Sequence, residues 1–277
     1  MELDVLALRR EYKGPHCLIT ASDDRTLFLR MWVPSVQKSR DSAILILHGI
    51  TAYSGPYKII AEHLAARGFT VYGLDLRGHG LSDGNRGDCP SKQRFVKDLC
   101  EAIAFVKSRH QKVVLLGHSL GVLSTIIALN NCLENIDGAA LLSGARTLKP
   151  GSSSSISVFE KLRIVLSSLI RPSKAVINYW REGMVGRDDP LFTFLYTLRF
   201  MRITALRQIS FPENMSLPVF VGVGDSDELF SVEACRELYD EVPSKEKEFH
   251  IAVGAKHAQF PPGCWDPLVE WADKHFD

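Results

Sequence analysis

Residues 112–124 read "KVVLLGHSLGVLS". A run that is apolar at nearly every position stops at Gly117 and gives way at once to apolar residues at helical spacing. Ser119 stands alone between Gly117 and Gly121. A short, uninterrupted apolar run suits a strand covered on both faces, as in a parallel sheet. A turn this tight from strand to helix forces its apex residue into a strained backbone conformation. Side chains two residues before and after would collide, hence glycine at both places. The serine is thereby presented at the end of the sheet, over a helix N-terminus that favours developing negative charge. A pentapeptide of the form G-x-S-x-G arises by composition alone in roughly one chain in ten of this length. Its position between strand and helix is what gives it meaning.

Seven other strand-like runs are read: 16–21 "HCLITA", 26–33 "TLFLRMWV", 43–48 "AILILH", 69–74 "FTVYGL", 138–143 "GAALLS", 218–223 "PVFVGV" and 248–253 "EFHIAV". The first two form a hairpin around "SDDR". Helical patterns are read over 56–67, 92–109, 119–131, 231–241 and 265–276, with Pro56 in a first turn and Gly68 as a stop. Strands alternating with helices predict an α/β fold, a mostly parallel eight-stranded sheet flanked by crossover helices.

The alternation fails between about 147 and 212. "KPGSSSS" opens this region as a flexible joint, and two apolar-rich helical stretches follow, 156–170 and 191–209, with no strand. The expected organisation is a core of 1–146 and 213–277 interrupted by a helical insertion, 147–212, after the sixth strand.

Composition sets bounds. With 277 residues, 45% of them hydrophobic, the chain can bury a large core. A net charge of +1 provides no global field for nucleic acid. The six cysteines are scattered without a C-x-x-C pair, as expected of reduced, packed thiols. The N-terminus lacks the apolar run of a signal peptide and no stretch reaches eighteen apolar residues, so a cytoplasmic protein without a membrane span is expected.

A serine hydroxyl needs a base, and there are nine histidines. His257, in "VGAKHAQF" after the last strand, can reach the edge of the sheet where Ser119 stands. His118 adjoins the serine but should point away across the turn. The histidine in turn needs a carboxylate to fix its tautomer. "VFVGVGDSDELF" offers Asp225, Asp227 and Glu228 just past the seventh strand. Ser–Asp–His is the chain order of the strand–elbow–helix hydrolases and differs from those of chymotrypsin and subtilisin. His48, His79 and His118 have no recognisable ligand spacing, so no metal site is read.

These motifs together resemble the α/β-hydrolase superfamily, and within it the monoacylglycerol lipase/lysophospholipase-like group with a helical cap. "AILILHG", "DLRGHGLSDG", "LLGHSLG" and "GAKH" carry the resemblance in order across nearly the whole core. It implies a catalytic triad of Ser119, Asp227 and His257. Asp227 is preferred because the group's acid lies three residues after a glycine, here Gly224, and Asp225 is the runner-up. "LHGITAYSGPY" resembles the group's oxyanion loop, which implies the backbone N–H groups of Ile50 and Leu120 as oxyanion donors. "DLRGHGLS" (75–82) is taken as structural. Where the family usually has a further glycine after the elbow, this chain has Val122, a departure that bears on helix packing.

The implied activity is serine carboxylester hydrolysis through an acyl-enzyme with no cofactor and no metal, on lipid-like esters such as monoacylglycerols or lysophospholipids. Short-chain, aryl or thioester hydrolysis, peptidase action and a non-catalytic ligand-binding role are the alternatives. The apolar residues Ile156, Phe159, Leu162, Val165, Leu166 and Leu169 of the insertion, with Leu191, Phe194, Leu195 and Leu198, are expected to roof an acyl channel. From Arg146 to Arg207 there are eleven bases against four acids, a net of +7, leaving −6 on the rest of a +1 chain. That basic segment suits peripheral contact with an anionic membrane surface.

Overall fold

The computed structural model describes residues 3–35, 37, 39–151 and 157–276. Eight strands form one sheet: β1 (His16–Thr20), β2 (Thr26–Trp32), β3 (Ser42–Leu47), β4 (Thr70–Asp75), β5 (Lys112–His118), β6 (Gly138–Leu142), β9 (Val219–Gly224) and β10 (Lys247–Ala252). Their order is β1-β2-β4-β3-β5-β6-β9-β10. β2 runs antiparallel to both its neighbours, and all other pairs are parallel. Every expected strand is present within a residue or two of its reading, and β1–β2 form the expected hairpin.

The continuous apolar runs have a simple cause. β3, β4, β6 and β9 are buried at every position, because both faces of the sheet are covered. Along β3 alternate residues serve two cores: Leu45 and Leu47 pack with Phe95, Leu99 and Ile126, while Ile44 and Ile46 pack with Leu64, Phe69 and Trp271. The first core lies under α3 (Lys92–Lys107) and α4 (Leu120–Leu129), the second under α2 (Lys58–Ala66) and α8 (Asp266–His275). All ten residues of α4 are buried, which explains its lack of a polar face. Toward the edges the cover thins: β1, β2 and β10 are mostly half-exposed or exposed.

Three local features differ from the reading. A short helix, α1 (Val5–Glu11), precedes β1, its first turn capped by the Asp4 carboxylate accepting from the Ala7 N–H. Between β6 and β9 the described residues add no strand to the main sheet, yet they make a ribbon of their own, β7 (Ile177–Asn178) with β8 (Leu195–Tyr196). The single helix expected over 191–209 is thereby broken into β8, α6 (Leu198–Ile203) and a 3-10 turn at Leu206–Gln208. Thr197 starts α6 with its hydroxyl accepting from the Phe200 N–H. The other expected helix is α5 (Val158–Ile170), and Ile156 lies outside the described residues. α7 (Val232–Glu241) lies between β9 and β10. No described helix is long and apolar enough to cross a membrane.

Candidate active site

Ser119 sits at the junction of β5 and α4 with φ 56° and ψ −115°, a backbone region that costs on the order of 1–3 kcal/mol for a non-glycine residue. The turn holds because its neighbours are glycines. A Cβ on Gly121 would lie 1.9 Å from the Leu47 carbonyl oxygen, and one on Gly117 would lie 2.2 Å from the Gly121 oxygen. Val122 is fully buried, and a Cβ on Gly144 would lie 2.6 Å from its Cγ2. The glycine missing from the helix is compensated by one on the facing chain.

The residues singled out in the sequence come together here. His257 Nε2 lies 3.0 Å from Ser119 Oγ, and His257 Nδ1 lies 3.0 Å from Asp227 Oδ2. Asp227 is fully buried, and its Oδ1 accepts from the N–H groups of Leu229 and Phe230 at 2.8 and 2.9 Å. Burial opposes its charge, but His257 and the two amides outweigh that and hold the carboxyl below its ordinary range. Asp225 is exposed and faces elsewhere, accepting from the Gly254 N–H and the Ser226 hydroxyl. Glu228 accepts the His257 N–H at 3.0 Å and so fixes the histidine's backbone.

The loop after β3 packs against the elbow, since a Cβ on Gly49 would lie 3.4 Å from that of Ser119. Among the described residues the N–H groups of Ile50 and Leu120 have no protein acceptor. The Leu120 amide is free because it opens a helix. The peptide carrying the Ile50 N–H is fixed from its other side: Gly49 O accepts from His48 Nδ1 at 2.8 Å, while His48 Nε2 accepts from the Leu76 N–H at 3.1 Å. Full burial depresses the His48 pKa, which keeps Nε2 free to accept.

Sequence reasoning missed a second set. His118 does turn from the serine hydroxyl, but it is not idle. Its Nε2–H donates to the His257 carbonyl at 2.9 Å, so Nδ1 must accept, and it does so from the Tyr57 hydroxyl at 2.9 Å. Tyr57 in turn accepts the Gly49 N–H at 2.9 Å. Burial, with the nearby His257 contributing, pushes the His118 pKa down to about 3, so this proton arrangement is retained at neutral pH. The Lys149 ammonium donates to the Asp227 carbonyl. Asp75 joins the loops by accepting from Ser54 N–H and Leu81 N–H, both at 2.7 Å, in keeping with a structural role for residues 75–82.

Ser119 opens onto a cavity of about 1060 Å³. Its apolar wall includes Ile59 and Ile60 of α2 and Phe260 and Trp265 after β10, with Tyr179, Met184 and Phe192 facing from the segment between β7 and β8. Arg181, Glu182, Glu228 and Lys256 add charge. The expected roof is different: none of the described residues named for it lines this cavity. Instead Phe159, Leu162, Leu169 and Ile170 of α5 are more than half exposed.

A family model described as serine aminopeptidase, S33, matches residues 38–260. The chain is 28% identical over 254 residues to monoglyceride lipase of Rattus norvegicus, covering 88% of this chain and 82% of that protein. It is 27% identical over 256 residues to the uncharacterized protein YnbC of Escherichia coli K12, of which it spans only 43%. The crystal structure of Paleococcus ferrophilus monoacylglycerol lipase superposes with a TM-score of 0.71 at 25% identity, covering 90% of this chain and 99% of that one.

Proposed function

The chain belongs to the serine aminopeptidase S33 family, within the α/β-hydrolases, and from that premise we propose that it is a serine carboxylester hydrolase acting on lipid-like esters. Ser119 attacks the ester carbonyl while His257 takes its proton, and Asp227 holds the imidazole in the Nδ1–H tautomer. The Ile50 and Leu120 amides receive the oxyanion. His257 then protonates the departing alcohol, and water, deprotonated by the same histidine, hydrolyses the acyl-enzyme. The observation that carries this reading is the Ser119–His257–Asp227 chain of two 3.0 Å contacts opening onto the cavity. No step needs a cofactor or a metal.

Monoacylglycerols and lysophospholipids are the proposed substrates. The apolar wall suits an acyl chain, and Arg181, Glu182, Glu228 and Lys256 suit a polar head. The relatives reported above from rat and Paleococcus are both named as monoacylglycerol lipases. Glu182 and Glu228 also favour one second reading, an aminopeptidase that grips a substrate ammonium. A panel of esters from acetyl to palmitoyl, with monoacylglycerols and an aminoacyl p-nitroanilide, separates the two. Turnover is expected to rise with acyl length and to include monoacylglycerols. Preference for acetyl esters, or for the anilide, would sink the lipid assignment.

Residues 147–212 act in this reading as a cap that meets the membrane. Lys161, Arg163, Arg171 and Lys174 are exposed around the uncovered apolar residues of α5, and among the described residues they form no ion pair. By contrast, Arg146 and Arg199 are paired to Glu241 and Asp88 of the core. Each basic residue near an anionic surface contributes roughly 1 kcal/mol, and the apolar residues beside them can enter the interface. Co-sedimentation with liposomes should increase with anionic lipid, fall as salt screens the charges, and weaken in Arg163→Gln/Arg171→Gln/Lys174→Gln. Equal binding to neutral and anionic vesicles, or binding to neither, would remove the basic segment's role at an anionic surface.

A further inference from the structure

The segment that closes the ribbon β7–β8 is fastened to the loop carrying Ile50. Tyr196 is fully buried, stacked on Phe200 with ring centroids 5.1 Å apart, and its hydroxyl donates to the Ile50 carbonyl. The same hydroxyl lies 2.7 Å from the Thr193 carbonyl and 3.3 Å from His79 Nε2. One residue further along the loop, the Thr51 carbonyl accepts from the Thr193 N–H at 2.9 Å. Two more ties hold the segment in place: the Tyr53 hydroxyl donates to Asp189 at 2.8 Å, and the Arg86 guanidinium donates to the Leu191 carbonyl at 2.6 Å. On the far side of β8 the Thr197 N–H donates to the Gly87 carbonyl at 3.0 Å.

We propose that Tyr196 is a positioning residue for the oxyanion site: its hydroxyl fixes the Ile50 carbonyl, and through it the direction of the Ile50 N–H. The proposal rests on Ile50 serving as an oxyanion donor. The two peptide planes flanking the Ile50 Cα are held by different parts of the chain. His48, from the start of the loop itself, fixes the Gly49–Ile50 plane. Tyr196, nearly 150 residues away in sequence, fixes the Ile50–Thr51 plane. With both planes fixed, the Ile50 N–H has little freedom to swing, and preorganised donors are the ones that stabilise developing charge. Tyr196 does not line the cavity, so its influence reaches the reaction through the backbone and not through contact with substrate. Burial holds its phenol in the protonated, donating form.

The test compares Tyr196→Phe with wild type on a p-nitrophenyl ester, with rates normalised to titrated active sites. Misplacement of a reacting group by about 1 Å costs on the order of a hundredfold. The expected result is a roughly ten- to hundredfold lower kcat with KM nearly unchanged. The affinity for a trifluoromethyl ketone should weaken by a similar factor, and the shape of the pH–rate profile should not change. Tyr72→Phe controls for loss of a buried phenol hydroxyl, since Tyr72 pairs with His110 away from the site. It should affect stability without lowering kcat. Gly87→Ala provides a second route, because its Cβ would meet the Leu195 carbonyl at 1.9 Å and push β8 off the loop. It too should lower kcat more than it raises KM. Wild-type kcat in folded Tyr196→Phe, or a loss confined to KM, overturns the role of Tyr196. Failure of the ketone to inhibit wild type, or of a fluorophosphonate to label Ser119, overturns the acyl-enzyme reading and this proposal with it.

Discussion

Ser119→Ala is expected to lower ester turnover by about six orders of magnitude while leaving a folded protein, the residual rate coming from substrate binding and the oxyanion donors. The hydroxyl's partner is His257 Nε2, and among the described residues no other hydroxyl or thiol is hydrogen-bonded to that nitrogen. Alanine suffers the same backbone strain at φ 56° as serine, so the turn is no worse off. Its N–H still donates to the Leu142 carbonyl at 2.9 Å. The measurement is mass spectrometry of the protein quenched during turnover, alongside the steady-state rate. Wild type should carry the acyl mass and the variant should not. An acylated Ser119→Ala would place the nucleophile elsewhere and overturn the elbow assignment.

The second large effect concerns the acid. Asp227→Asn should reduce kcat by about four orders of magnitude, and the local hydrogen bonds say why. One carboxylate oxygen accepts two backbone N–H groups, from Leu229 and Phe230, and the other faces His257 Nδ1. In the amide, the single remaining acceptor stays with the two N–H groups, which turns the NH₂ toward the histidine. Nδ1 must then accept, so the proton moves to Nε2 and points at Ser119 in place of a lone pair. Asp225→Asn should change kcat less than about twofold, because both of its donors, Gly254 N–H and Ser226 O–H, use one oxygen that asparagine retains. Steady-state kinetics of the pair decides the matter. The reverse ranking would shift the acid by two residues.

Much of the core was legible because its causes are local or periodic. Strands buried on both faces must be apolar throughout, and the elbow must carry glycines at 117 and 121. The glycine before Asp227 and the loop position of His257 rank as motif information of the same kind. What remained hidden depends on contacts distant in sequence. Nothing near Tyr57 or His118 announces that they meet and tie the Gly49 amide to the His257 carbonyl. Tyr196 sits in a stretch whose apolar spacing suggests a helix, but pairing of Ile177 with Tyr196 and capping by Thr197 override that preference. The apolar residues of α5 read as a channel roof because periodicity reports an apolar face without saying what covers it. The side of the cavity facing the core comes instead from residues 179–192, whose mixed sequence carries no periodic signal.

The sheet order has a consequence for how the site comes apart. β5, which ends beside Ser119, is paired on both sides in the middle of the sheet, whereas β10, which leads to His257, is an edge strand paired only with β9. Proteins open locally where fewest contacts must break, and edges go before centres. The fraying of one edge strand would therefore withdraw His257 while Ser119, its helix and the apolar interior stayed intact. Mild heat or denaturant should then abolish the proposed activity before it unfolds the protein, and cooling should restore it without any need to rebuild the core.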